Sequence, residues 1–212
     1  VAGVTAPVDG AEPEEGGAAQ QPDETLAWFQ DAKFGMFIHW GVYSSMPEGS
    51  EWVMHQEAYP PEVYRKRAED PTNGFTAAKY NPADWAKLAK TAGMKYMVLT
   101  TKHHDGFCLW DTQTTDRKVT KAPLGRDVLA ELTKSCDKYG IKLALYFSEG
   151  EWAWPGGAPG EGWESGHIGK NPELKKAQLK ELLTSYSDLD EIREKEIAIE
   201  VRKLAQRSES TR

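Results

Sequence analysis

The chain has 212 residues and a formal net charge of −7, with 39% hydrophobic and 28% charged residues. That length supports one domain with a sizeable core, and the acidic balance argues against a nucleic-acid surface, which needs clustered Lys and Arg. There is no run of about 18 apolar residues, so no membrane-spanning helix is expected.

Residues 1–22, VAGVTAPVDGAEPEEGGAAQQP, are small, acidic and rich in Pro and Gly. They read as a disordered lead-in, compatible with what remains after a signal peptide is removed. The stretch AKFGMFIHWGVYSS has a short apolar centre and predicts a strand over 34–40. A loop with Pro47, Gly49, Pro60 and Pro61 follows, and PEVYRKRAED within it suits a helical turn or two. NPADWAKLAKTAGMK predicts a helix with Asn81 as N-cap, Pro82 at the first position, Trp85, Leu88 and Ala89 on one face, and Gly93 at its end.

YMVLTT, residues 96–101, is a continuous apolar strand, the pattern of a strand covered on both faces. GRDVLAELTKSCDKYG is a second helix, with Asp127 near its cap and Gly140 at its end. IKLALYFS, 141–148, is another buried strand. A Trp/Gly/Pro loop over 149–170 leads to NPELKKAQLKELLTSY, a third helix with the same Asn-Pro entry. From 191 to 206, Ile192, Ile197, Val201 and Leu204 recur among charges with a helical period.

Strand, loop and helix in repetition argue for an α/β fold with a parallel sheet. The loops after strands are long and carry the unusual residues, while those after helices are short. That asymmetry marks a (β/α)8 barrel, whose active site lies on the loops following the strands. The chain therefore reads as a partial TIM barrel: the first three βα units over 23–192, then a divergent helical tail over 193–212. An open edge of such a sheet is answered in one of three ways: by a longer chain of which this is a fragment, by an oligomer or a partner that completes it, or by the C-terminal helix covering it.

Parallel neighbours lie about 4.8 Å apart, so polar groups at consecutive strand ends converge on one mouth. His39 ends the first strand, His103 and His104 the second, and Tyr146 and Glu149 the third. Cys108 and Cys136 are too few for a disulfide framework, lack metal-ligand spacing, and leave their pairing open. Imidazoles are the commonest metal ligands, which leaves a metal-dependent hydrolase as one reading. Against it, adjacent residues at a strand end point in different directions, and neither His-x-His nor His-Glu-x-x-His is present. Neutral imidazoles, Trp faces and a carboxylate suit a polyhydroxylated ligand, with the Trp face packing on the apolar side of a sugar ring.

WFQDAKFGMFIHWGVYSSMP, the pair Glu51–Trp52, MKYMVLTTKHHDGFCLWDT and YGIKLALYFS together resemble the α-L-fucosidase family of glycoside hydrolases. The resemblance covers about residues 26–192, including AQLKELLTSY. It implies a retaining exo-glycosidase that releases terminal α-L-fucose from glycans without a metal or organic cofactor, and a secreted, periplasmic or lysosomal location. It implies that His39 and the adjoining Trp40 sit at the sugar, that Glu51 and Trp52 lie near the fucose, that His103 and His104 contact its hydroxyls, and that Tyr146 lies beneath the ring.

One departure stands out. In the family a nucleophilic Asp ends the fourth strand shortly after a segment like LDEI, which here occupies 189–192. Extension without a gap puts Arg193 at the preceding Trp and Lys195 at the nucleophile, and Lys cannot form a glycosyl ester. Retaining hydrolysis needs two carboxyl groups about 5–5.5 Å apart. Glu51, Glu149 and Glu151 are the stand-ins, the latter two read as solvent-facing. The sequence thus supports a truncated fucosidase inactive alone, with a non-catalytic fucose-binding module as the alternative.

Overall fold

The computed structural model describes residues 24–148, 150–153 and 171–186. The lead-in 1–22, Glu149, most of the 149–170 loop, Lys195 and the 191–206 helix lie outside the described residues.

Among the described residues three parallel strands lie side by side in chain order: β1 (Gly35–Ile38), β2 (Tyr96–Lys102) and β3 (Lys142–Phe147). Parallel neighbours require crossovers. Helix α1 (Glu24–Ala32) precedes β1. Helices α2 (Val53–Gln56), α3 (Pro61–Glu69) and α4 (Pro82–Thr91) separate β1 from β2, α5 (Val128–Tyr139) separates β2 from β3, and α6 (Pro172–Ser185) follows β3. The expected caps are in place. Asn81 accepts from the Ala83 amide at 3.2 Å, Asp127 from Ala130 at 2.8 Å and Asn171 from Leu174 at 3.1 Å. Gly140, at φ +65°, supplies the left-handed turn that ends α5.

Strand β1 is shorter than the sequence predicted. Past Ile38 the Trp40 amide is taken by the Thr100 hydroxyl at 3.2 Å rather than by a strand carbonyl, and pairing stops. At its start, Gly35 is paired with Tyr96, and a Cβ on Gly35 would lie 2.4 Å from the Tyr96 ring.

One face of the sheet is covered. Met97, Leu99 and Leu143 are buried in the same cluster as Ala86, Ala89, Leu129, Leu132 and Cys136, with α4 packed on α5 and α5 on β3. Leu88 departs from its expected place and is 59% exposed. The packed stripe of α4 runs through Trp85, Ala86 and Ala89, where small residues allow close approach, and Leu88 falls on the far side. On the other face of the sheet Val98, Ala144 and Tyr146 are half-buried and Phe37 is 54% exposed, so the expected two-sided cover of β2 is one-sided among the described residues.

Helix α6 is held to the loop after β2. The Glu181 carboxylate accepts from Trp110 Nε1 (3.0 Å), the Thr112 hydroxyl (2.5 Å) and the Gln113 amide (2.9 Å). Cys108 and Cys136 are both buried and are not joined in a disulfide. Among the described residues no helix is long and apolar enough to cross a membrane.

Candidate functional site

The site begins with a slip in the ladder. Thr100 pairs with Tyr146, yet Lys102 pairs with Phe147, so β2 carries one residue more than β3 just before the two histidines. Thr101 is that extra residue. Its carbonyl accepts from the Leu109 amide at 2.9 Å, and its hydroxyl donates to the Tyr146 carbonyl at 2.7 Å, so both carbonyls keep a partner at the slip. Such an insertion bends the strand and re-aims the side chains beyond it.

The histidine rings diverge accordingly, with planes 72° apart and centroids 4.9 Å apart. His103 stacks toward Tyr146 (5.9 Å, 20°) and meets His39 edge-on at 5.4 Å. His104 turns toward Trp52 at 5.9 Å and Trp152 at 5.4 Å. Trp52 lies 6.4 Å from His103, and His39 lies 5.8 Å from Tyr146. Five of the expected residues, His39, Trp52, His103, His104 and Tyr146, therefore form one contiguous patch across three strand ends. Glu51 adjoins it, half-buried, and its charge acts on Tyr43, whose ring sits 6.1 Å from His103.

Trp40 is not brought into the patch. Its ring packs among Phe75, Tyr80 and Trp85 at 5.0, 5.2 and 5.1 Å. Its backbone carbonyl accepts from the Thr100 hydroxyl at 3.1 Å. It braces the strand end from behind.

Both histidines are neutral at pH 7. Burial pulls His103 down to about 3, helped by the neighbouring His104 and His39. Burial is also the main cause that lowers His104. The His104 Nδ1 lies 2.9 Å from the Gly150 carbonyl, which can only accept, so Nδ1 carries the proton and Nε2 is left as an acceptor. The Ser148 hydroxyl lies 2.5 Å from the same Nδ1 and donates to the same carbonyl at 3.1 Å. His103 is 6% exposed, and its Nδ1 is buried with no hydrogen-bond partner among the described residues. A buried polar atom without a partner is uncommon, and here it lies within the patch.

Beneath the pair the turn is locked. Asp105 accepts from the Tyr64 hydroxyl at 2.8 Å and the Phe107 amide at 3.1 Å, and burial raises its carboxyl to about 6. Glu151, read from sequence as a solvated carboxylate, is wholly buried. It pairs with Lys102 Nζ at 2.9 Å and with the Arg117 guanidinium at 2.6 Å. It cannot stand in for a catalytic carboxylate at the mouth, because its charge is already spent on two cations beneath the turn.

Sequence reasoning also missed His55 and Trp152, which stack at 5.3 Å and 17°. One signal was available: the pair Glu-Trp occurs at 51–52 and again at 151–152, and the two tryptophans meet at 5.5 Å. Among the described residues no group of three or more His, Cys, Asp or Glu is placed to hold a metal ion.

A family model described as alpha-L-fucosidase matches residues 11–193. The chain is 40% identical over 145 residues to the tissue alpha-L-fucosidase of Bos taurus, a match covering 61% of this chain and 30% of that protein. Among solved structures, the alpha-L-fucosidase of Lactobacillus casei, in complex with its alpha-L-fucose product, gives a TM-score of 0.66 at 29% identity. That match covers 86% of this chain and 68% of the other. An alpha-L-fucosidase from Bacteroides thetaiotaomicron, trapped as a covalent intermediate with 2-fluoro-fucosyl fluoride, gives 0.63 at 32% identity, over 81% and 41%. The chain thus spans about a third of the curated relative's length.

Proposed function

Because the chain belongs to the α-L-fucosidase family, we propose that its histidine–tryptophan patch recognises terminal α-L-fucose on a glycan or glycoside. The observation that carries this reading is the buried Nδ1 of His103, without a hydrogen-bond partner among the described residues, beside a neutral His104 whose Nε2 is an acceptor. A neutral imidazole offers one donor and one acceptor, and a sugar hydroxyl is both, so each ring takes a hydroxyl without placing a buried charge. Trp52, half-buried against both rings, supplies an apolar face for the pyranose. His39, exposed at the end of β1, and Tyr146 on β3 complete the contacts.

In this reading the three strands are the first three units of a (β/α)8 barrel, and the patch is the sugar-recognising part of a retaining site. The covalent intermediate trapped on the Bacteroides relative supports a retaining course in the family. A retaining site needs a nucleophile and an acid/base about 5–5.5 Å apart. In the described patch Glu51 is the carboxylate beside the rings, and the aligned nucleophile position falls at Lys195. The 212-residue chain by itself therefore binds fucose and does not hydrolyse fucosides.

The test is a pair of measurements on the purified chain. Calorimetric titration should show saturable binding of L-fucose, and incubation with the 4-nitrophenyl α-L-fucoside should release no 4-nitrophenol above a buffer blank. Absence of fucose binding would remove the recognition reading. Release that persists through a second purification would show that a carboxylate other than an aligned nucleophile serves the reaction.

A further inference from the structure

We propose that Glu151 is a positioning residue for His104, holding the segment that fixes this ring as the Nδ1–H tautomer with Nε2 turned to the ligand as an acceptor. The proposal deepens the fucose-recognition reading and rests on it. Its basis is a closed circuit of contacts. His104 is gripped by the two chain neighbours of Glu151: the Gly150 carbonyl takes Nδ1–H at 2.9 Å, and the Trp152 amide donates to the His104 carbonyl at 2.8 Å. Glu151 cannot shift without carrying both grips with it.

Glu151 is itself pinned from the other side. One carboxylate oxygen lies 2.9 Å from the ammonium of Lys102, the residue immediately before the histidine pair, and the other lies 2.6 Å from Arg117. The carboxylate and the Lys102 ammonium are 1% and 0% exposed. The carboxylate rests in the space left by the missing side chain of Gly106, where a Cβ would lie 2.8 Å from it. The ladder of constraints thus runs from β2 through Lys102 to Glu151, on to Gly150, and back to His104 in the turn just past β2.

The chemical consequence is specific. A free neutral imidazole exchanges its proton between two nitrogens, and the partner of one nitrogen decides what the other presents. A carbonyl placed at Nδ1 leaves only an acceptor at Nε2, so a ligand must donate a hydroxyl proton there. A buried ion pair with no such task would hold the fold and leave the tautomer indifferent to its geometry.

The experiment uses the full chain, labelled with nitrogen-15, and reads the imidazole nitrogens by long-range proton–nitrogen correlation near pH 7 without sugar. The His104→Ala spectrum assigns the signals. Wild type should show His104 in the Nδ1–H form. Glu151→Asp keeps the charge but draws the carboxylate back by one methylene. It should give a mixed tautomer pattern for His104 and weaken L-fucose binding at least tenfold while unfolding cooperatively.

Ser148→Ala should leave the tautomer unchanged, because the Gly150 carbonyl remains. A folded Glu151→Asp chain with the wild-type pattern and affinity would overturn the proposal, as would loss of the pattern in Ser148→Ala alone. Should the Asp variant not fold, an Nε2–H form in the wild type would overturn it without any variant. If the wild type does not bind fucose, the recognition reading fails, while the tautomer spectra still decide the role of Glu151.

Discussion

Gly106→Ala should destabilise the chain by about 4 kcal/mol, a large loss for one added methyl group. Two separate effects meet at this residue. Its φ is +73°, a conformation that costs an L-residue about 1–2 kcal/mol. In addition, the new Cβ would lie 2.8 to 2.9 Å from the carboxyl atoms of Glu151, which must move. Moving it loosens the pairs with Lys102 and Arg117, and breaking a buried pair costs about 3–5 kcal/mol because a cation is left uncompensated. The result is read from the urea midpoint at unchanged slope. A loss below about 1 kcal/mol would mean that the turn relaxes freely and that the buried triad does not constrain it.

The second large effect is a loss of stability in acid, centred on His103. Its folded pKa is depressed to about 3 from 6.5, so the unfolded chain takes up this proton first as pH falls. Stability from this residue is complete above pH 6.5 and is lost as pH drops towards 3. At about 1.4 kcal/mol per pH unit the whole window amounts to about 5 kcal/mol. His104 acts in the same direction.

Asp105 acts in the opposite one. Its pKa is raised from 3.8 to about 6, so its contribution is complete below 3.8 and is lost as pH rises through 6. That opposing term is about 3 kcal/mol. The decline should therefore be shallow between about pH 6 and 4 and steep below about 4. Asp105→Asn should bring the steep part forward to about pH 6, and His103→Ala should flatten the acid limb. An acid limb unchanged in His103→Ala would show that the ring is not held neutral by burial.

Local chemistry explains what could be read from sequence. Asn81–Pro82, Asp127 and Asn171–Pro172 announce their helices because a cap is made within three residues. The convergence of His39, His103, His104 and Tyr146 was legible because parallel neighbours must bring their ends together. Of what was not legible, three things depend on distant partners. The one-residue slip at Thr101 exists only through Leu109 and Tyr146. Trp40 leaves the mouth because Phe75, Tyr80 and Trp85 receive it. Glu151 looks solvated beside Gly and Trp in sequence, and is buried because Lys102, 49 positions earlier, meets it. Helix α2, with four residues, is too short for any periodicity to show.

The central claim is that two neutral histidines at the end of β2 read sugar hydroxyls. Its most direct test is calorimetric titration of L-fucose into the wild-type, His103→Ala and His104→Ala chains at pH 7, with cooperative unfolding verified for each. Removing a buried partner of a hydroxyl costs about 1–3 kcal/mol, so each variant should raise the Kd roughly 5- to 150-fold, and added zinc should not restore the affinity. Wild-type affinity in both folded variants would contradict the account.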